Sequence, residues 1–433
     1  MCYNKKVITI LMHYTHMVKK RTIFTTILEQ LSSPDILLLN GPRQVGKTTL
    51  LKLLKEYLVN QLHVPETHIH WFDLDRVEDL SIWSNQATVF ALLPIKTTER
   101  HYIFIDEFQQ SKNIGSIVKV LHDHHPQFKI ILTGSASWYL NIDESMAGRK
   151  RVIPIWPLSF EEFLQWQHPE LVSYYSLAKQ NSSALTETLC LAVNTAFIEF
   201  STYGGYPAVV ESKTAKEKTE RLSELINSYL LKDIQHWNYA ANTLQVKNVF
   251  TLLAHQTGTE LSIPTLATNA GLGRTALLNR VELLQQTFML HVLKPYFTNR
   301  TKEIVKQPKV YLVDTGLRNS LAQQFTLQPL TPLFGLVAEN TVVSELFKQA
   351  TITDSIQYWR TKQQQEVDVV IVRSGKPMPI EVKSGIARDI PTNLKHFIRL
   401  HAPERAYVLN WSTIRDEEYE GCEILFRPLW FPV

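Results

Sequence analysis

Gly41-Pro42-Arg43-Gln44-Val45-Gly46-Lys47-Thr48-Thr49 is the stretch on which the reading of this chain turns. Before it runs Ile36-Leu-Leu-Leu-Asn40, a short apolar segment that predicts a buried parallel strand. After it, the leucines between Leu50 and Leu58 fall at helical spacing. Strand, glycine-containing loop and helix form the setting a phosphate-binding loop requires, and a chance glycine turn would lack both flanks. Such a loop turns main-chain N–H groups toward the phosphates, and the new helix adds its positive end. Residues Gly41 to Thr49 would then line ATP. Lys47 would bring a point charge to the β and γ phosphates, and the Thr48 hydroxyl would face magnesium.

Downstream, Tyr102-Ile-Phe-Ile-Asp106-Glu107 sends four apolar residues into two acids, as a core strand does when it ends at a nucleotide crevice. Alone this would be a strand with a solvated acidic tip. Beside a phosphate loop it assigns Asp106 to magnesium and Glu107 to the attacking water. Ile69 to Asp75 and Lys129 to Ser135 read as further strands of the same sheet, and Thr133 or Ser135 at the second tip could sense the γ phosphate. Arg149, after Gly148, has two readings of equal weight. It is an exposed basic turn, or a guanidinium that offsets charge as the γ phosphoryl leaves, in its own chain or in a neighbouring copy. The second placement would make the protein a homo-oligomer.

Gly41–Thr49, Tyr102–Glu107, Leu132–Ser137 with Gly148-Arg149, and Pro157–Phe163 together resemble the bacterial and archaeal AAA-type ATPases in which an N-terminal ATPase domain precedes a C-terminal domain of uncertain function. The likeness runs from about Arg21 to beyond Lys383. It implies ATP binding and hydrolysis with Lys47, Thr48, Asp106 and Glu107 in the roles above. Ala136 departs mildly from the small polar residue the family usually carries after the Thr-Gly-Ser tip.

In the middle of the chain, Pro154 and Pro157 forbid a helix, and Ser159 caps one that begins with Glu161 and Glu162. Val246–Gln256 is amphipathic. Thr265–Ala270 and Arg274–Gln285, joined across Gly271-Leu-Gly273, read as a helix-turn-helix. Phe288–Leu293 and Lys309–Val313 are either the strands of a wing or edge strands of a neighbouring domain. Arg274, Arg280, Lys294, Arg300, Lys302, Lys306 and Lys309 would suit DNA phosphates on the winged-helix reading. Many such units only pack against proteins.

Towards the C-terminus, a helix begins near Gly335, and strands are expected at Tyr358–Arg360, Glu366–Val372 and Pro379–Lys383, the last two joined by a turn at Ser374-Gly375-Lys376. Glu381 and Lys383 lie two apart and point to one face, with Asp368 across from them in an antiparallel pair. This arrangement resembles the restriction-endonuclease-like nuclease fold. Matched residue by residue, the likeness assigns Asp368, Glu381 and Lys383, with Glu339 from the preceding helix, to a metal site. There Asp368 and Glu381 would hold magnesium beside a scissile phosphate, and Lys383 would orient the water. The alternative is a solvated ladder of opposite charges on a fold without the activity.

Size and composition set the frame. With 433 residues the chain is too long for one core. The expected architecture is α/β: an N-terminal extension at 1–20, a P-loop AAA-type domain at 21–157, a helical lid or linker at 158–240, a winged-helix-like region at 241–308 and a restriction-endonuclease-like domain at 309–433. Met12 and Met17 are alternative starts. Hydrophobic residues make up 44% and charged residues 20%, the balance of an ordinary folded protein. The net charge of +4 permits a nucleic-acid partner without arguing for one. Cys2, Cys190 and Cys422 form neither a disulfide framework nor a metal motif, which favours a reducing, cytoplasmic location. No apolar run has the length of a membrane span, so no membrane partner is expected. Two functions stand: an ATPase acting on nucleic acid through its C-terminal domain, and an ATP-driven switch that binds protein partners with a silent nuclease-like domain.

Overall fold

The computed structural model describes residues 19, 21–135, 146–180, 186–236, 243–297 and 307–433. These form two compact units, divided between Leu158 and Ser159. Ser137 of the strand-tip motif and Arg300, Lys302 and Lys306 of the basic group lie outside the described residues, as do the N-terminal 18 residues.

The first unit is built on five strands: β1 (Ile36–Asn40), β2 (Ile69–Asp73), β3 (His101–Asp106), β4 (Phe128–Gly134) and β5 (Lys150–Pro154). Their order across the sheet is β2-β3-β4-β1-β5, and every neighbouring pair is parallel. The apolar runs of β1, β3 and β4 are buried because helices cover a parallel sheet on both faces. Helix α1 (Lys47–Asn60) follows β1 directly and buries Leu50, Leu51, Leu54 and Leu58; α2 (Ile114–His124) buries Ile114, Ile117, Val118 and Leu121. Because all strands run the same way, the residues after β1, β3 and β4 gather at one edge of the sheet, where the order of strands brings them together.

The second unit opens with α3 (Phe160–Gln167), whose N-terminus is a complete capping box: the Ser159 hydroxyl accepts from the Glu162 amide and the Glu162 carboxylate accepts from the Ser159 amide. Helices at Glu187–Tyr203, Ala215–His236 and Thr243–His255 follow. Next come α4 (Ile263–Ala270) and α5 (Arg274–Gln286), joined through a left-handed Gly271.

An eight-stranded mixed sheet completes the unit: β6 (Leu290–Pro295), β7 (Lys309–Leu312), β8 (Ser355–Arg360), β9 (Glu366–Arg373), β10 (Lys376–Val382), β11 (Arg405–Asn410), β12 (Arg415–Tyr419) and β13 (Cys422–Pro428), in the order β12-β13-β11-β10-β9-β8-β6-β7. Helix α6 (Pro332–Gln349) connects β7 to β8, and α7 (Thr392–His401) packs Leu394, Phe397 and Ile398 into the core beside Val367, Val370, Val408 and Phe426. The hairpin of β6 and β7 is antiparallel, yet β6 also pairs in parallel with β8. Of the two placements open to these strands, the structure takes the second: they form the edge of the large sheet, which therefore continues across residue 308.

Candidate functional site

The phosphate loop leaves β1 at Asn40 and enters α1 at Lys47. Gln44 (φ 61°) and Gly46 (φ 93°) both adopt the left-handed conformation, which aims successive amides to one side. No side chain caps α1, so its first amides remain available to an anion. Gly41 is fixed by crowding: a Cβ there would lie 2.0 Å from the Ile155 carbonyl oxygen. Lys47 is buried, and its ammonium donates to the carbonyl oxygens of Gly41 (2.9 Å) and Pro42 (2.8 Å), which holds it over the loop. Arg43, Val45 and Thr49 complete the loop, with Val45 fully buried.

β4 lies between β1 and β3, so their tips are neighbours. The Thr48 hydroxyl donates to Asp106 Oδ2 at 2.6 Å, and the Thr133 hydroxyl donates to Asp106 Oδ1. The Glu107 amide reaches Thr133 Oγ1 at 3.3 Å. Glu107 itself is left-handed (φ 52°), and burial pushes its carboxyl above the ordinary range, against the pull of Lys47 and Arg43. Gln109 donates to Glu107 Oε2 and to Ser135 Oγ, the latter at 3.2 Å. Sequence reasoning missed Gln109, whose only local signal is its place two residues after Glu107. It also missed the role of Arg21, which donates to the Val45 carbonyl (2.8 Å) and the Trp156 carbonyl (2.9 Å). The oxygen donors of Thr48 and Asp106 suit magnesium.

Arg149 does not join this group. It precedes β5, whose first residue pairs with Ile36 at the start of β1, and it donates to Asp123 Oδ1 at 2.6 Å. The length of β1 separates it from the phosphate loop, about 17 Å for five residues of strand. Its reading as a γ-phosphate partner within its own chain is therefore corrected. The direction of β5 puts the residue at the wrong end of the sheet, and only a neighbouring copy could present it.

In the second unit, β9 and β10 pair as expected, with Val369 opposite Ile380. The Val382 amide donates to Asp368 Oδ2 at 2.8 Å, and Lys383 Nζ lies 2.6 Å from Glu381 Oε1. Glu381 is buried and its Oε2 has no hydrogen-bond partner, an oxygen suited to a hard cation. Burial, then the charge of Asp368, pushes the Glu381 carboxyl up to about 8 and the Glu339 carboxyl up to about 7; burial also raises Asp368. Burial opposes the charged form of Lys383, but Glu381 and Asp368 hold it above its usual value.

Two placements alter the sequence reading. Glu339 Oε1 accepts from the Tyr311 hydroxyl at 2.6 Å and lies 3.8 Å from Lys309 Nζ, so that oxygen is committed within the protein. Among the described residues, Glu339, Asp368 and Glu381 do not bring three oxygens within 4.8 Å of one another. Asp368, Glu381 and Lys383 are the part of the expected set that the β9–β10 hairpin brings together. Lys309, read as part of a basic DNA-facing group, is 2% exposed and pairs with Glu366. Arg280 is likewise turned inward, to the Ala276 carbonyl (3.0 Å) and Gln245 (3.2 Å). Arg274 and Lys294 remain exposed.

Comparison with known proteins matches three segments of the chain. A family model described as an AAA domain matches residues 33–164, and models described as domains of unknown function DUF8612 and DUF4143 match residues 194–328 and 334–427. The N-terminal segment is thus a P-loop domain of AAA type, a class that binds and hydrolyses ATP with magnesium. The chain is 23% identical to an uncharacterized protein of Haemophilus influenzae over 96% of its own length and 98% of the relative's. It is 24% identical to an uncharacterized protein of Mycobacterium tuberculosis over 88% of its length and 77% of the relative's. Among solved structures it is similar to a Walker-type ATPase of Pyrococcus abyssi, with 13% identity, a TM-score of 0.44, and coverage of 70% of this chain and 96% of that one. No described helix is long and apolar enough to cross a membrane.

Proposed function

We propose that this protein is a magnesium-dependent ATPase whose second unit acts on nucleic acid. The observation that carries the ATPase reading is the convergence of Lys47, Thr48, Asp106 and Thr133 at the tips of three adjacent parallel strands. The main-chain amides of Gln44 to Thr48 and the Lys47 ammonium would hold the phosphates, with Lys47 exchanging its loop carbonyls for phosphate oxygens. Magnesium, held by Thr48 and Asp106, would neutralise charge on the phosphates. Glu107, held by Gln109, would orient the attacking water and take its proton, a task for which a raised carboxyl pKa is suited. Thr133 bonds Asp106 and the Glu107 amide, and so ties the metal-facing acid to the water-facing one.

The nucleic-acid part rests on the unpartnered Glu381 Oε2 beside Asp368 and Lys383, where a divalent cation and a phosphodiester would find oxygen donors and an ammonium. A second reading has its own support: the buried Lys309 ammonium among Glu339 and Glu366 already supplies positive charge next to that pair. It favours an ATP-driven switch for protein partners with a silent nuclease-like unit. Phosphate release and DNA cleavage by wild type, Lys47→Ala and Asp368→Ala, with and without linear, nicked and single-stranded DNA, test both parts. We expect Lys47→Ala to abolish release, and DNA to stimulate the wild type. Cleavage equal in wild type and Asp368→Ala would remove the nuclease reading, and ATP turnover indifferent to DNA would favour the switch.

A further inference from the structure

The edge of the first unit's sheet remote from the phosphate loop carries a second concentration of ligand atoms. The sequence there is His68-Ile69-His70 at the start of β2 and Glu99-Arg100-His101 at the start of β3. His68 ends the 3-10 turn Glu66–His68 that leads into β2, and Glu99 lies two residues before β3 begins at His101. β2 and β3 are parallel with Ile69 opposite Tyr102, which sets His68 beside His101. The two imidazoles stack with centroids 4.3 Å apart, and His68 Nε2 lies 3.3 Å from Glu99 Oε2. One ligand atom from each of His68, Glu99 and His101 lies within 4.8 Å of the other two. Behind them, His70 Nε2 is 3.0 Å from His101 Nδ1.

We propose that His68, Glu99 and His101 bind a first-row divalent transition cation of the zinc class, with His70 as a positioning residue. Two imidazoles and a carboxylate are the donors such ions select, whereas magnesium prefers an all-oxygen shell. Tetrahedral ligands at about 2.1 Å from zinc stand roughly 3.4 Å apart, so the ligand atoms must close from within 4.8 Å and the stacked rings must turn their in-plane lone pairs toward the ion. His101 is 5% exposed, so its ring is held in place by the surrounding core. The hydrogen bond between His70 and His101 engages one nitrogen of His101 and fixes the ring's orientation, as outer partners of metal-bound histidines do. Glu99 is 69% exposed at its side chain, so the site opens to solvent and leaves room for a water ligand. β2 is the outermost strand of the sheet and has β3 as its single ladder partner there. An ion bridging His68 and His101 would cross-link that edge. The strand length puts it about 16 Å from the phosphate loop, so its role is separate from ATP hydrolysis.

The test uses the full chain, stripped of metal with a chelator and free of nucleotide, titrated with cobalt(II) as a visible stand-in for zinc. The expected result is a ligand-field band that saturates at one ion per chain and is displaced by zinc. His68→Gln and His101→Gln should each weaken binding by about tenfold or more, and His70→Gln by about tenfold. Glu99→Gln, at an exposed position where folding is not at stake, should weaken it as well. ATP hydrolysis should be unchanged in all four, and zinc should raise the melting temperature of the wild type more than that of any variant. No band, or a band that keeps its intensity and affinity in Glu99→Gln and in the folded histidine variants, would overturn the assignment.

Discussion

The two acidic centres handle their charge in different ways. At the phosphate loop, Asp106 is met by two hydroxyls, from Thr48 and Thr133, and Lys47 rests on main-chain carbonyls. These are neutral partners that an incoming phosphate and metal can replace. In the second unit, Glu260, Glu339, Glu366, Asp368 and Glu381 lie among Lys309, Arg360 and Lys383, and charge is matched by charge within the protein. The match is incomplete, five carboxylates to three cations, and burial, then the charge of Asp368, raises the carboxyls of Glu339 and Glu381. The first centre is arranged for an anion, whereas the second has a shortage of one or two positive charges.

Lys47→Ala should give the largest effect, a loss of phosphate release of about 100-fold or more, since one preorganised charge at the transferred phosphoryl is removed. An unchanged rate would break the comparison outright. Glu107→Gln should retain ATP binding and lower hydrolysis by about 100-fold, read as single-turnover release against nucleotide affinity. A loss of affinity instead would make Glu107 a binding group.

A pH experiment sharpens the contrast. Glu339 and Glu381 have folded values of about 7 and about 8, above the ordinary 4.5, so the folded chain holds more protons than the unfolded one between these limits. Stability therefore falls as pH rises through that interval. Buried His291, lowered to about 3, changes stability below pH 6.5, and Lys129, lowered to about 8, does so above pH 8. Between pH 6.5 and 8 the melting temperature of the second unit should drop by about 2 °C or more, magnesium should reverse the drop, and Glu381→Gln should reduce it to the part contributed by Glu339. A flat profile for the wild type would show that the charges are already balanced. The smallest effect is expected from Gln109→Ala, which frees Glu107 without removing it and should cost only a few-fold in hydrolysis at unchanged nucleotide affinity.

What the sequence disclosed depended on how far apart the cooperating residues stand. Strand, loop and helix around Gly41–Thr49 are contiguous, and Asp368, Glu381 and Lys383 sit on one hairpin, so both could be read from spacing. Arg21 meets partners 24 and 135 positions away, and no periodicity carries that information. Arg149 was legible as a cation but not as to which end of the sheet it occupies, because that follows from the direction of β5. Lys309 looked like a surface charge in a basic stretch. Its burial follows from β7 joining the large sheet next to α6, whose Glu339 faces it.

Arg21 has one more consequence. Its two guanidinium nitrogens hold the Val45 carbonyl within the phosphate loop and the segment that leaves the last strand. The phosphate loop is thereby clasped by a side chain that precedes every described strand of its domain. A truncated protein beginning after this arginine would keep the complete glycine-lysine motif yet lose the clasp, and it should grip ATP more weakly although every residue that touches the ligand is still there.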